Sequence, residues 1–253
     1  MIDLHSHLLP GVDDGSRSVE QSVQVLTAMA ADGVRGICLT PHLVASRADQ
    51  GIPEKYDAAY AALAIVAPEG IELFRGVELL LDRPLSPEAA ADRRLTLAGS
   101  QYILVEFTRM ISAHTAITAL TQVRQLGLIP VVAHPERYAV CSPVEISRWR
   151  QAGAAMQVDA NTLFQPTARG RRARALLEYG LADILAADNH GDSRSLALPS
   201  ERLHEMGGEV QADLLLDRNP AAIVANEPLV PVPPLAVKTS LVSKLRSLLD
   251  SNG

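Results

Sequence analysis

The chain has 253 residues, 47% of them hydrophobic, and a formal net charge of −6. It is long enough to bury a substantial core. Because proteins bind nucleic acids through basic surfaces, the net negative charge argues against a nucleic-acid partner. Its two cysteines, Cys38 and Cys141, make no disulfide framework. There is no basic-then-apolar leader and no apolar run near the roughly 18 residues that span a bilayer. We therefore expect a cytoplasmic protein without a transmembrane segment.

Short apolar segments alternate with helix-like segments from Ile2 to about Ala225. Seven such units predict an α/β fold, in which parallel strands with right-handed connections form a distorted (β/α)7 barrel. The predicted strands are Ile2–Leu4, Gly36–Thr40, Ile71–Val77, Tyr102–Val105, Ile129–Ala133, Ala155–Val158 and Ala182–Ala186. The predicted helices are one from Ser18 to about Ala31, then Glu54–Val66, His114–Leu126, Val144–Ala152 and Ala168–Tyr179.

The barrel is expected to occupy residues 1–227, and residues 228–253 form a different kind of segment. This segment has a proline-rich stretch, Pro228–Pro234, and a basic amphipathic helix at about Val237–Leu249. We expect the helix to pack on the barrel. Contact with a membrane surface or with another subunit of a homo-oligomer is the alternative.

Histidines and acids stand at or just past the ends of the predicted strands. Because parallel barrels place the C-terminal ends of their strands around one mouth, these side chains predict a multinuclear metal site there. Buried carboxylates are costly unless they are paired or bound to metal, and a salt bridge to Arg75 or Arg109 is the alternative for the two glutamates. The side chains are His5, His7, His42, Glu78, Glu106, His134, Asp188 and His190.

Other polar residues near the strand ends admit two interpretations. Asp14 follows Asp13 and precedes Gly15, so it is either a metal ligand or a turn residue that favours the next helix N-terminus. Arg137 could hold a phosphoryl oxygen with its forked guanidinium, or pair with Glu136 or Glu145. Pro135 is expected to restrict His134 to an extended backbone. Asp159 and Asn161 either orient neighbouring groups or cap a turn.

Three further residues are expected to have no catalytic or metal-binding role. His114 and His204 fall within predicted helices and should be exposed. Cys141 is followed by Arg148, one residue too far for the C-x5-R phosphate cradle of thiolate phosphatases. It is therefore expected to be a structural thiol.

The ordered motifs resemble the PHP (polymerase and histidinol phosphatase) superfamily, and within it the bacterial manganese-dependent tyrosine-protein phosphatases encoded with capsule and exopolysaccharide genes. The resemblance implies a distorted seven-stranded barrel with up to three metals at the strand C-termini. It covers nearly all of the chain to about Asn226. The motifs are Ile2-Asp-Leu-His-Ser-His7, Val12-Asp-Asp-Gly15, Thr40-Pro-His42, Gly76-Val-Glu78, Glu106-Phe107, His134-Pro-Glu-Arg137 and Asp188-Asn-His190.

The resemblance also implies roles for individual residues. His5, His7, Glu78 and Asp188 would hold one metal; Glu78, Glu106 and His134 a second, with Glu78 bridging; and Asp14, His42 and His190 a third. Arg137 would bind the phosphoryl group, and His42 or Asp188 would assist proton transfer to the leaving group. The chain departs from the family pattern at Leu43, Asp159 and Arg194, which puts the substrate-facing side of the site in question.

The expected function is metal-assisted hydrolysis of a phosphomonoester, most simply the phosphotyrosine-bearing tail of a bacterial tyrosine autokinase. Manganese is the expected metal, in two or three ions, with iron, zinc or magnesium as alternatives. A phosphatase of a small metabolite such as histidinol phosphate is the alternative function. An amidohydrolase also begins with two alternate histidines, but many carry a bridging lysine where Glu106 stands here. A non-catalytic binding module would show missing ligands.

Overall fold

The computed structural model describes residues 1–235, so the predicted helix at about Val237–Leu249 lies outside the described residues. The strands are β1 (Ile2–Ser6), β2 (Gly36–Leu39), β3 (His42–Val44), β4 (Glu72–Arg75), β5 (Glu78–Leu80), β6 (Tyr102–Glu106), β7 (Ile129–Ala133), β8 (Ala155–Asp159) and β9 (Ile184–Ala186). The α-helices are α1 (Val19–Ala31), α2 (Ala45–Ala48), α3 (Glu54–Val66), α4 (Pro87–Ala91), α5 (Ala113–Gln125), α6 (Pro143–Gln151), α7 (Ala160–Leu163), α8 (Ala168–Glu178), α9 (Ala197–Glu205), α10 (Glu209–Asp213) and α11 (Asn219–Val224).

The strands form two sheets in which every neighbouring pair is parallel. One sheet has the order β1-β2-β4, and the other has the order β3-β5-β6-β7-β8-β9. Parallel strands need crossover connections, usually helical, and those helices bury the sheet faces. The α/β architecture predicted from the sequence is therefore confirmed, but the strands do not close into one continuous hydrogen-bonded barrel.

Two of the predicted strands are each followed by an additional short strand in the other sheet. The second predicted strand forms β2 in the first sheet, and after Thr40-Pro41 the chain forms β3 in the second sheet. Proline has no N–H to donate to a strand ladder. The third predicted strand forms β4, and after Gly76-Val77 the chain forms β5 in the second sheet. His42 and Glu78 therefore follow their strands as predicted, but each also begins a short strand that was not predicted, and these two short strands pair with each other.

The two sheets meet again where β1 ends beside β9. Ser6 forms an isolated parallel bridge with Asn189. The backbone N–H of Asp188 donates to the His5 carbonyl at 3.1 Å, and the N–H of His7 donates to the Asn189 carbonyl at 2.7 Å. These bonds hold the ends of β1 and β9 together, which places both alternate-residue pairs, His5-x-His7 and Asp188-x-His190, side by side.

A helix cap and a cluster of aromatic side chains stabilise the elements around the candidate residues. The Ser18 side chain accepts from the Gln21 N–H and caps α1. Near the C-terminal ends of β6 and β7, Phe107, Tyr138 and Trp149 form an aromatic cluster with ring centroids 5.8 to 6.1 Å apart. The Tyr138 hydroxyl accepts from the Phe107 N–H and donates to the Ala133 carbonyl. This hydroxyl therefore ties the ends of β6 and β7 to each other.

The chain after β9 packs against the lower part of the fold. The Asn219 side chain donates to the carbonyls of Asp183 and Val230, both at 2.9 Å, and the N–H of Leu235 donates to the Leu177 carbonyl at 3.0 Å. The proline-rich stretch thus lies along α8 and α11. Through residue 235, none of the helices combines the length and the apolar character that crossing a bilayer requires.

Candidate metal centre

The two sheets bring all the predicted histidines and acids together at the C-terminal ends of the strands. His5 and His7 have no exposed surface, and Glu78, His134 and Asp188 are at most 2% exposed. In each of four groups, the potential ligand atoms lie within 4.8 Å of one another. The groups are His5, His7 and Asp188; His5, Glu78 and His134; His42, Glu78 and Glu106; and His7, Asp14, His42 and His190.

Two histidines and two acids converge at one point of the centre. His5 Nε2 lies 3.2 Å from His7 Nε2, and both nitrogens lie 3.3 Å from Glu78 Oε2. Asp188 Oδ1 is 3.3 Å from His5 Nε2 and 3.4 Å from His7 Nε2. Four donor atoms on a tetrahedron about 2.1 Å from a cation would be about 3.4 Å apart. The spacing therefore suits a single divalent ion.

The hydrogen bonds on the far side of each imidazole support this interpretation. His5 Nδ1 lies 2.9 Å from Gln157 Oε1, and His7 Nδ1 lies 2.8 Å from Asp13 Oδ2. Since both of these oxygens are acceptors, each Nδ1 carries a proton, and in the neutral ring the lone pair is on Nε2. Asp188 Oδ1 has no hydrogen-bond partner among residues 1–235. Although burial lowers the pKa of His5, the facing carboxylates of Glu78 and Asp188 raise it to about 9, so this position attracts positive charge, which a cation between the two nitrogens would supply.

Glu78 connects this group to a second one. Its Oε1 is 2.8 Å from His134 Nε2, and its Oε2 is 3.0 Å from His42 Nδ1. The sequence-based alternative of a salt bridge from Glu78 to Arg75 is wrong, because Arg75 pairs with Asp57. Although burial raises the pKa of Glu78, the surrounding histidines lower it well below its ordinary value. Glu78 is therefore an anion with histidines on both oxygens.

Glu106 completes the second group at the end of β6. Its Oε1 is 3.7 Å from His42 Nδ1. Burial, together with the negative charge of Glu78, raises the pKa of Glu106 to about 7. A cation placed between the two carboxyl groups would favour the ionised form of both.

Asp14 and His190 lie at the open side of the centre. Asp14 Oδ1 is 3.4 Å from His42 Nε2 and 3.7 Å from His190 Nε2, and the His190 ring stacks on His7 with centroids 4.1 Å apart. Asp14 is 69% exposed in its side chain. The carboxylate of Asp14 thus faces the histidines, while the hydrogen bonds of the turn are made by its neighbour.

That neighbour, Asp13, is a residue that the sequence interpretation missed. Besides accepting from His7 Nδ1, it accepts from the backbone N–H of Gly15 at 3.0 Å and of His42 at 3.1 Å. A β-carbon on Gly15 would lie 1.9 Å from the His7 carbonyl oxygen, so only glycine fits there. Gln157 was missed as well. Acid-Gly pairs signal turns, and a single buried glutamine gives no sequence signal at all.

Two of the site residues have left-handed backbones. His134 has φ 33° and Asp188 has φ 50°, conformations that cost non-glycine residues of order 1–3 kcal/mol and that cluster at functional sites. The prediction of an extended His134 is therefore wrong, because its N–H donates to Gln157 Oε1 at 3.2 Å and its imidazole turns toward Glu78.

Arg137 reaches the centre through Asp188. Its Nη2 bonds Asp188 Oδ2 and lies 3.5 Å from Asp159 Oδ2. The alternative pairing with Glu136 or Glu145 is wrong. Glu136 accepts from the Asp159 N–H at 3.0 Å, and Glu145 accepts from Trp149 Nε1 at 3.0 Å. Arg137 is thus positioned by two carboxylates, one of which also faces the histidines.

The remaining candidates have structural roles. Asp159 caps α7 by accepting from the N–H groups of Asn161 and Thr162, and the Asn161 side chain donates to the Ala187 carbonyl at 3.2 Å. His114 and His204 are exposed, as predicted. Burial raises the pKa of both Cys38 and Cys141 to about 12. Neither thiol is therefore a thiolate nucleophile near neutral pH.

Comparisons with known proteins agree with this geometry. A family model described as capsular polysaccharide synthesis, CpsB/CapC, matches residues 1–225. The chain is 27% identical to the tyrosine-protein phosphatase YwqE of Bacillus subtilis over 94% of this chain and 97% of that protein. It is 31% identical to the tyrosine-protein phosphatase CpsB of Streptococcus pneumoniae over 77% of this chain and 85% of that protein.

A solved structure gives the same result. Among the crystal structures of YwqE and CpsB, which are described as unique metal-dependent tyrosine phosphatases, one chain matches with a TM-score of 0.73 and 25% identity. The match covers 94% of this chain and all of the other. The resemblance found from the sequence motifs is thereby confirmed. The chain belongs to the CpsB/CapC family of capsular polysaccharide synthesis.

Proposed function

We propose that this protein is a metal-dependent protein-tyrosine phosphatase. The observation that carries the proposal is the convergence of His5 Nε2, His7 Nε2, Glu78 Oε2 and Asp188 Oδ1, with the measured separations between 3.2 and 3.4 Å. Relatives named tyrosine-protein phosphatases over most of both chains support the choice of reaction. A similar fold alone would not support the choice of reaction, since one fold serves many reactions.

The proposed ligand sets are those that the family resemblance implies. His5, His7, Glu78 and Asp188 would hold one cation, and Glu78, Glu106 and His134 would hold a second. Asp14, His42 and His190, at the exposed side, would hold a third. The proximity of these side chains in overlapping groups supports the proposal.

Manganese is the metal we propose, as the family resemblance implies. Mixed histidine and carboxylate ligands would also accept iron, zinc or magnesium, and availability often decides among them. A bound divalent cation supplies Lewis-acid charge for a phosphoryl oxygen and lowers the pKa of a water molecule. The protein's own contribution is to hold these ligands in fixed positions. Asp13 and Gln157 do this for the two buried histidines.

Arg137 binds the phosphoryl group in this scheme. Its guanidinium is anchored on Asp188 and Asp159, and its Nε, buried, has no hydrogen-bond partner among the described residues. The charge that develops on phosphoryl oxygens in the transition state is stabilised by such pre-positioned donors.

The proposed substrate is the phosphotyrosine-bearing tail of a bacterial tyrosine autokinase, in the cytoplasm, as a capsular polysaccharide synthesis family suggests. Residues 1–227 would be the catalytic domain, a seven-stranded barrel distorted by the strand breaks at Pro41 and Gly76. Residues 228–253 would form a C-terminal segment that packs on this domain. The alternative is contact with another subunit of a homo-oligomer.

The test is hydrolysis of a phosphotyrosine peptide by metal-stripped protein, with Mn²⁺ added back. We expect phosphate release that depends on the metal and is lost in His134→Ala, while His204→Ala, an exposed histidine, behaves as the wild type. Histidinol phosphate is the comparison substrate. Faster metal-dependent hydrolysis of histidinol phosphate than of the peptide would overturn the tyrosine assignment, and no activity on either would overturn phosphatase chemistry.

A further inference from the structure

A cleft of about 760 Å³ opens beside the candidate metal centre. His42 and Glu106 line its inner end and also belong to the metal-ligand groups. Its walls include the apolar residues Leu43, Val44 and Leu80. This volume is in the range of clefts that bury most of a drug-sized ligand, so a phosphorylated side chain at the inner end would leave room for its neighbours in a peptide.

The charge of this cleft differs from that of the whole chain. Its lining carries two cations, Arg47 and Lys55, and Glu106 is the single acid among the described residues that line it. The chain as a whole has a net charge of −6. A locally positive surface beside the reaction centre of an acidic protein attracts negative groups and orients their approach.

Neither cation is neutralised by a neighbouring carboxylate of residues 1–235. The acid closest to Arg47 in sequence, Asp49, pairs instead with Arg83. The Lys55 ammonium donates to the backbone carbonyl of Val12 at 2.7 Å, a contact that positions the charge without cancelling it. Arg47 and Lys55 are both exposed, so their charges are available to a ligand in the cleft.

We propose that Arg47, supported by Lys55, selects phosphotyrosine peptides that carry acidic residues beside the phosphotyrosine. The peptide would run along the cleft, with its phosphotyrosine at His42 and Glu106 and an acidic side chain at Arg47. The exposed side chains of Ser46 and Gln50 line the same cleft and offer hydrogen bonds to an extended backbone. This proposal rests on the proposed function.

The test compares two phosphotyrosine peptides of equal length, one with glutamates and one with lysines around the phosphotyrosine. For Mn²⁺-loaded wild-type protein we expect kcat/KM to favour the acidic peptide by about fivefold, the scale of one exposed ion pair. In Arg47→Glu the preference should be abolished or reversed. Arg202→Glu, on an exposed arginine of α9 outside the cleft, should keep it. Equal kcat/KM for the two peptides in the wild type, or a preference unchanged in Arg47→Glu, would overturn the proposal.

Binding measured without turnover separates this proposal from the phosphatase assignment. Fluorescence anisotropy of the unphosphorylated acidic peptide should show weaker binding to Arg47→Glu than to wild type, and weaker binding for both at high salt. If neither phosphopeptide is hydrolysed but peptide binding depends on Arg47, the phosphatase assignment is overturned and the assignment of the cleft to peptide binding is supported. If both phosphopeptides are hydrolysed and Arg47→Glu does not change peptide binding, the cleft assignment is overturned and the phosphatase assignment is supported.

Discussion

Gln157 Oε1 accepts from His5 Nδ1 at 2.9 Å and from the backbone N–H of His134 at 3.2 Å. One buried amide oxygen therefore sets the tautomer of one histidine and holds the left-handed backbone of another. In the neutral ring the proton of His5 is on Nδ1, so its Nε2 can give a lone pair to a cation held beside Glu78 and Asp188. Groups that orient metal-binding histidines in this way typically change metal affinity by 10- to 100-fold when removed.

We therefore expect Gln157→Leu to bind Mn²⁺ about 10- to 100-fold more weakly than the wild type, as measured by calorimetric titration. Leucine fills similar space but leaves His5 Nδ1 and the His134 N–H without an acceptor. Gln157→Glu keeps the acceptor oxygen and should recover part of the affinity. Circular dichroism confirms folding, and a folded Gln157→Leu protein with undiminished affinity would show that Gln157 does not orient the centre.

Glu78 is expected to be the residue whose charge the centre needs most. Its two oxygens contact four histidines, His5, His7, His42 and His134. Glu78→Gln preserves the shape and removes the charge, so we expect fewer bound ions per chain by elemental analysis and loss of activity by about 10²-fold or more. Glu72→Gln, at an exposed position of β4, is the matched control. Full metal content in Glu78→Gln would contradict a shared ligand.

Arg137→Lys tests whether the guanidinium fork binds the phosphoryl group. Lysine keeps the positive charge beside Asp188 but cannot donate two parallel hydrogen bonds. We expect kcat/KM for a phosphotyrosine peptide to fall by about 10²- to 10³-fold, with metal content unchanged. Arg194→Lys should have a smaller effect, since Arg194 pairs mainly with Asp192, at 2.8 Å. Equal losses of kcat/KM in the two variants would contradict a special role of Arg137 in binding the phosphoryl group.

The candidate ligand residues could be predicted from the sequence, and the groups that orient them could not. Histidines and acids at the ends of apolar runs follow a rule of parallel α/β folds, which is why His5, His7 and Asp188 were assigned together. Asp13 and Gln157 act through contacts that only the folded chain creates, six and 152 residues away along the sequence.

The two additional short strands were missed for a related reason. The run Ile71–Val77 predicts one strand, and whether the chain adds a further strand in another sheet after it depends on the neighbouring elements. Here Gly76 lies close to Cys38, where an added β-carbon would be 3.0 Å from the sulfur. The close approach leaves little room for a side chain where the chain passes from β4 to β5, the short strand that begins with Glu78. Single-chain periodicity carries no information on such packing.

A buried acid next to the centre gives the fold a pH dependence of its own. Asp3 has no exposed surface and accepts from the N–H groups of His5 and Ala187, both at 3.2 Å. Burial raises the pKa of Asp3 to about 7 from 3.8. Between these values the folded chain holds a proton that the unfolded chain has released, so the free energy of unfolding falls as pH rises, by up to about 1.4 kcal/mol per pH unit from this group.

Asp3→Asn should therefore flatten the pH profile of stability between about pH 4 and pH 7. The asparagine Oδ1 can accept both backbone hydrogen bonds, which in the wild type reach Asp3 Oδ1 at 3.2 and 3.3 Å. The measurement is urea unfolding with a chelator present, at pH 5 and pH 8, for wild type, Asp3→Asn and the exposed control Asp213→Asn. We expect the wild type and the control to lose more stability than Asp3→Asn over this interval. The same loss in all three proteins would mean that Asp3 is already ionised in the folded chain at pH 5, and that the neighbouring positive charges outweigh its burial.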